Sequence, residues 1–208
     1  VSTNGNPIGA VVGFLGMIKK QVNEIRPDQV VICWDGKGGS NRRREVVKEY
    51  KEGRKPLKKN YEVEGMTEQT EKENKIWQQQ ILMEIINNMP FIQLMIDNVE
   101  ADDVIAYVAK SQIYKDYQKV IISSDKDFKQ LQKFGNVEQY SPLLKKQVNK
   151  SSVREAEQYI IEHIVRGDSG DGVPNVLSPD DIFNKDERQK PITKKILNNF
   201  LEKGFNAC

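Results

Sequence analysis

Residues 91–127 read FIQLMIDNVEADDVIAYVAKSQIYKDYQKVIISSDKD, and their hydrophobic pattern changes twice. Phe91–Ile96 is a short apolar run with strand character. Glu100–Lys110 then places Val104, Ile105 and Val108 on one face of a helix. Lys119–Ser123 is apolar and β-rich again, and Asp125 follows it at once. A strand, a helix and a second strand within 37 residues read as a parallel crossover unit, the building block of an α/β domain.

The flanking sequence extends this pattern. Gln29–Trp34 contains VVICW, a buried parallel strand that ends at Asp35. Before it, Ile8, Val11, Val12, Leu15, Ile18, Val22 and Ile25 recur at helical spacing, and Pro27 stops that helix. Residues 56–70 read as loop, and Thr70–Asn88 as a polar helix striped by Ile76, Trp77, Leu82, Ile85 and Ile86. Val137–Tyr140 and Gln147–Val148 read as shorter strands. Beyond Ser152 the chain turns to helices at 153–165, 179–184 and 191–203, with a Gly/Asp-rich turn at 167–172. The expected architecture is α/β, a mostly parallel sheet with helices on both faces over residues 1–150, followed by a small helical module at 151–208.

The 208 residues suffice for one hydrophobic core, and 38% hydrophobic with 30% charged residues describes a globular chain. Cys33 and Cys208 are too few for a disulfide framework, and neither has a zinc-site partner. The longest apolar stretch, Ile8–Ile18, is too short and glycine-rich to span a bilayer. A reducing, cytoplasmic setting without membrane contact is expected. Net charge is +2, yet Arg42–Lys59 alone holds nine Lys or Arg against three Glu, so the remainder is acidic at −4. Arg44, Lys48, Lys51 and Lys55 fall on one face if this segment is helical. Interleaved Glu allows a solvated face held by i,i+4 pairs, but the three-to-one excess favours a phosphate-binding segment.

Carboxylates mark the strand ends. Asp35 closes the first strand; Glu100, Asp102 and Asp103 follow the second; Asp125 and Asp127 follow the third; Asp168 and Asp171 occupy the GDSGD turn. In open parallel sheets the functional crevice lies at these carboxyl ends. Each group has a plainer reading, as a helix N-terminal acid or an Asx turn. Their joint occurrence points instead to a negative pocket that needs hard cations, two Mg²⁺ with Mn²⁺ as substitute. His163, Trp34 and Trp77 read as structural.

The series CWDGKGGSNRRRE, VEADDVIAYVAK, VIISSDKDFKQL and VRGDSGDGVPNV resembles, in order and spacing, the 5′ nuclease family of flap endonucleases and 5′-3′ exonucleases, its phage-encoded branch most of all. The resemblance implies a PIN-like catalytic domain with a helical arch near residues 40–70 and a C-terminal helix-hairpin-helix-type module. It implies that Asp35, Glu100, Asp102, Asp125 and Asp127 hold the metal pair, with Asp103, Asp168 and Asp171 beside them. Arg43, Arg44 and Lys48 become candidates to act on the scissile phosphate. Arg42, Lys51, Arg54, Lys55, Gly170, Gly172, Val173 and Asn175 join them as nucleic-acid contacts. The implied substrates are DNA and RNA–DNA duplexes with a 5′ end or flap, handled by a monomer alongside replication proteins during primer removal.

Two departures accompany the likeness. No Asp precedes Asp28, so the family's first strand and its ligand are expected to be missing, as is the C-terminal part. The turn GDGVPNVLSP is less glycine-rich than in many relatives. Two other readings stay open: a non-catalytic nucleic-acid-binding protein on the same fold, and a PIN-type ribonuclease.

Overall fold

The computed structural model describes residues 5–48, 50–51, 67–185 and 187–203. They fall into two compact units, the described parts of 1–34 with 56–95 and of 35–55 with 96–208.

In the first unit, helix α1 (Gly9–Ile25) ends where Arg26 adopts a left-handed conformation and returns its N–H to Val22. Its N-terminus has no side-chain cap of its own. Gln78 supplies one from helix α3 (Glu68–Asn87), its Oε1 accepting from the amides of Ala10 at 2.9 Å and Val11 at 3.4 Å. This satisfies two of the orphan donors that every helix start leaves. Helix α3 begins with a capping box between Thr67 and Thr70, so 67–70, expected as loop, are the start of the helix. Strands β1 (Val31–Trp34) and β2 (Ile92–Met95) pair in parallel, Val31 opposite Ile92. Half-buried Trp34 donates to Gln93 Oε1 at 2.8 Å and lies against Phe14 with ring centroids 5.6 Å apart. Burial pushes the Cys33 thiol up to about 11, away from thiolate chemistry.

In the second unit, β3 (Lys119–Ile122) pairs in parallel with β4 (Val137–Ser141), and β4 pairs antiparallel with β5 (Lys146–Gln147). A 3-10 helix, Lys126–Phe134, joins β3 to β4. It buries Phe128 and Leu131 against Ile121, Val137 and Ala109, the last on helix α4 (Ala101–Lys110). Helix α5 (Val153–Arg166) opens with a Ser152–Glu155 capping box. It packs on that 3-10 helix, and through Val165 on Leu197 and Phe200 of helix α6 (Lys194–Lys203).

The α/β class stands, with corrections. The described strands form two sheets, of two and three strands, instead of one mostly parallel sheet. Strands of two to five residues offer few ladder bonds, and β4 turns back through a hairpin to β5. Helix α5 packs on the 3-10 helix within the second compact unit, which runs across residue 150. Residues 180–185 form turns, not the expected helix at 179–184. Among its described residues the basic segment is helical as α2 (Asn41–Val46). Val47 is extended and Lys51 has a φ of 64°, so Arg44, Lys48 and Lys51 do not share one helical face. Lys55 and Arg54 lie outside the described residues, as does most of the expected arch.

Candidate active site

Gly36 sets the approach of two loops in the second unit. Its N–H donates to Val99 O at 3.0 Å, and a Cβ there would lie 1.7 Å from Ile96 O. Only glycine lets the segment after Asp35 cross residues 96–99 this closely. Asp35 Oδ1 then accepts from the Ala101 amide at 2.8 Å and caps α4. Glu100, at the N-cap position, makes no cap bond with its side chain.

The Glu100 carboxylate is instead the centre of a cluster. It is 5% exposed. Lys51 Nζ lies 2.6 Å from its Oε1, and Arg43 lies 2.9 Å from its Oε2. The Tyr50 hydroxyl donates to Oε2 at 3.2 Å. Arg43 also forks onto both oxygens of Asp103, at 2.8 and 2.9 Å, the bidentate geometry that suits guanidinium to carboxylate. Bonding to Asp103 raises the already high Arg43 pKa, against the effect of burial. Burial works to lower the Lys51 ammonium, but Glu100 and Tyr50 outweigh it and hold it above its ordinary value. Asp102 sits above the usual carboxylate range, first through burial and then through the negative charge of Glu100 and Asp103.

A second cluster gathers Asp127, Tyr159, His163 and Asp168. Asp125 Oδ1 accepts from the Asp127 amide at 2.9 Å. The Tyr159 hydroxyl donates to Asp127 Oδ1 at 3.2 Å, and its pKa is raised by burial and by the charge of Asp127. Tyr159 stacks on His163 at an interplanar angle of 12°. His163 Nε2 lies 3.6 Å from Asp127 and 4.0 Å from Asp168, so the residue read as structural sits beside two of the predicted site carboxylates. Asp168 Oδ1 closes an Asx turn onto the amides of Gly170 and Asp171. The turn is tied to the basic segment by the Lys51 amide, which donates to Asp171 O at 2.9 Å.

The predicted carboxylates therefore gather into two groups, each engaged by protein donors. Among the described residues no three His, Cys, Asp or Glu side chains are arranged around one metal position. Arg42, Arg44 and Lys48 are exposed; Gly170 is exposed, and Gly172 and Val173 are half-buried in the turn. Asn175, expected among the nucleic-acid contacts, braces its own turn with its side chain. It is 6% exposed and bonds Lys190 O, the Leu177 amide and the Ser178 hydroxyl. Tyr50 and Tyr159, which bond Glu100 and Asp127, are neighbours of the candidate carboxylates that sequence reasoning missed. For Tyr50 the only signal was an aromatic beside Lys51 in a basic run, and Tyr159 gave none beyond its place four residues before His163.

Comparison with known proteins assigns the class. The family model of the 5′-3′ exonuclease N-terminal resolvase-like domain matches residues 1–162, and the chain belongs to that family. It is 32% identical over 166 residues to the ribonuclease H of Enterobacteria phage T4, an alignment covering 79% of this chain and 52% of that protein. It is 29% identical over 163 residues to flap endonuclease Xni of Shewanella sediminis, covering 76% and 57%. The chain thus spans little more than half the length of these relatives. Its fold matches the T5 D15 protein co-crystallized with metal ions, with a TM-score of 0.64 at 21% identity over 96% of this chain and 78% of that one.

Proposed function

We propose that this chain is the core of a structure-specific 5′ nuclease, a 5′-3′ exonuclease or flap endonuclease that hydrolyses phosphodiesters near the 5′ end of DNA or RNA–DNA. The carrying observation is the Glu100 cluster. The buried Glu100 carboxylate stands directly against two cations from the basic segment, Arg43 and Lys51, with half-buried Asp102 two residues along the chain. Such a site offers hard oxygen donors and phosphate-binding donors side by side.

The donor chemistry suits divalent ions, since every candidate is a carboxylate, and Asp102 is held above the usual range first by burial and then by the charge of Glu100. Asp35, Glu100, Asp102, Asp125 and Asp127 would hold a Mg²⁺ pair, or Mn²⁺ in its place, with Asp103, Asp168 and Asp171 supporting. When bound, such a pair supplies an activated water and neutralises the leaving oxygen. Arg43 and Lys51 are placed to donate to the non-bridging oxygens of the scissile phosphate as charge develops there. Arg42, Arg44 and Lys48, all exposed, track the neighbouring backbone; Arg54 and Lys55 extend the same basic run toward an arch over residues 40–70. The turn at Gly170–Val173 presents backbone to duplex phosphates in a helix-hairpin-helix-type module over 151–208, with 1–150 carrying the chemistry. The products are a 5′-phosphate and a 3′-hydroxyl. Primer or flap removal as a cytoplasmic monomer alongside replication proteins completes the reading.

The test is a 5′-labelled flap duplex beside single-stranded RNA of the same sequence, each with Mg²⁺ or EDTA. Mg²⁺-dependent cutting near the flap junction, abolished in Asp125→Asn, is expected. Cutting of the single strand alone would favour a PIN-type ribonuclease, and tight binding without cutting a non-catalytic protein.

A further inference from the structure

Strand β4 turns Val137, Gln139 and Ser141 inward, and all three are buried. Val137 packs in the core with Ile121 and Leu131. Gln139 and Ser141 do something else. Gln139, 1% exposed, donates through Nε2 to Ser123 O at 2.9 Å and to Asp125 O at 2.6 Å. The Ser141 and Ser124 hydroxyls share a hydrogen bond at 2.9 Å. Two side chains of one strand therefore hold three consecutive residues of the loop after β3. That loop carries Asp125, whose carboxylate in turn fixes the Asp127 amide.

Gln139 is a poor choice for stability alone. Its Oε1 is buried and accepts no hydrogen bond among the described residues. A methionine or leucine would fill the same space without leaving a buried acceptor unpaired. All of the amide's hydrogen bonds go to the two loop carbonyls. Gln139 thereby fixes the peptide that leaves Asp125, and the Ser123 hydroxyl fixes the one that enters it by accepting from the Asp125 amide at 3.1 Å, so the direction in which the Asp125 side chain leaves the backbone is set.

We infer that Gln139, assisted by Ser141, is a positioning residue that aims the Asp125 and Asp127 carboxylates at their shared ligand. The inference rests on the proposed role of those two carboxylates in holding a divalent ion. Partners that orient metal ligands change metal affinity without touching the metal.

The experiment compares the chain with Gln139→Met, Val137→Ala and Asp125→Asn. Mn²⁺ binding is read by calorimetry, and kcat and KM on a 5′-flap duplex. Gln139→Met should bind Mn²⁺ about tenfold more weakly and lose kcat by a similar factor, with KM for the duplex unchanged. Val137→Ala, a cavity in the same strand, should melt earlier yet bind Mn²⁺ as the unsubstituted chain does. Unchanged affinity in Gln139→Met, or an equal loss in Val137→Ala, overturns the positioning role. If Gln139→Met does not fold, Ser141→Ala takes its place, with weaker Mn²⁺ binding expected and unchanged binding contrary. Wild-type affinity in Asp125→Asn would remove the ligand role itself, and this inference with it. Weakened Asp125→Asn beside an unaffected Gln139→Met would remove the inference alone.

Discussion

Glu100 shows what a single buried charge demands of its neighbours. Its carboxylate is compensated by Lys51 and Arg43, and Arg43 is shared with Asp103. Replacing Arg43 with Met leaves Asp103 unpaired and Glu100 with one cation. The expected loss is about 1–3 kcal/mol in urea unfolding, below the value for a fully buried pair because the guanidinium is a third exposed. The same change at Arg166, paired with Glu162 on the surface of α5, should lose no more than about 0.5 kcal/mol. Equal losses at the two positions would contradict the picture of a compensated buried charge. Asp102 gives the pH counterpart. Its folded pKa lies above the unfolded value of 3.8, so the native state binds the proton more tightly. The stability this contributes is complete below 3.8 and is lost as pH rises through the raised folded value. In EDTA, Asp102→Asn should therefore melt higher than the unsubstituted chain at neutral pH, and the gap should close on acidification. A gap that widens toward low pH would reverse the assigned direction.

The elements were legible where the sequence had a clear period. Val31–Trp34, Ile92–Met95 and Lys119–Ile122 are the apolar runs that marked strands, and Gly9–Ile25 matches its helical spacing to within a residue. Legibility failed where tertiary contacts decide. The 3-10 helix Lys126–Phe134 carries Phe128, Leu131 and Phe134 at every third residue, a short period that the reading passed over, and Phe128 and Leu131 pack on Val137 and Ile121. In the basic run, Tyr50 and Lys51 leave the helix to reach Glu100, so helical spacing misplaced the cations. The acidic motifs were all visible as residues. What each carboxylate bonds was not, because a capping Asp35 and a charge-paired Glu100 look alike in a sequence. Two glycines test the element scale in opposite directions. Gly36→Ala forces a Cβ into Ile96 O and should lose about 3 kcal/mol. Gly13→Ala, within α1 and with nothing near its Cβ, should gain about 0.5–1 kcal/mol. Thermal unfolding of the two variants checks both signs.

For the molecule as a whole, family membership and an α/β fold are in hand, and the two acidic clusters belong to the same compact unit. The functional reading requires both clusters to serve a single reaction. Residues acting as one catalytic unit show strongly non-additive losses, since removing either already disables the whole. The most direct measurement is therefore the Mg²⁺-dependent cleavage rate of a 5′-flap duplex by the unsubstituted chain, Glu100→Gln, Asp125→Asn and the double variant. The account predicts that each single substitution removes nearly all cleavage and that the double is no worse than either. Wild-type cleavage by either single variant, or losses that multiply in the double, would show that the two clusters do not form one catalytic centre.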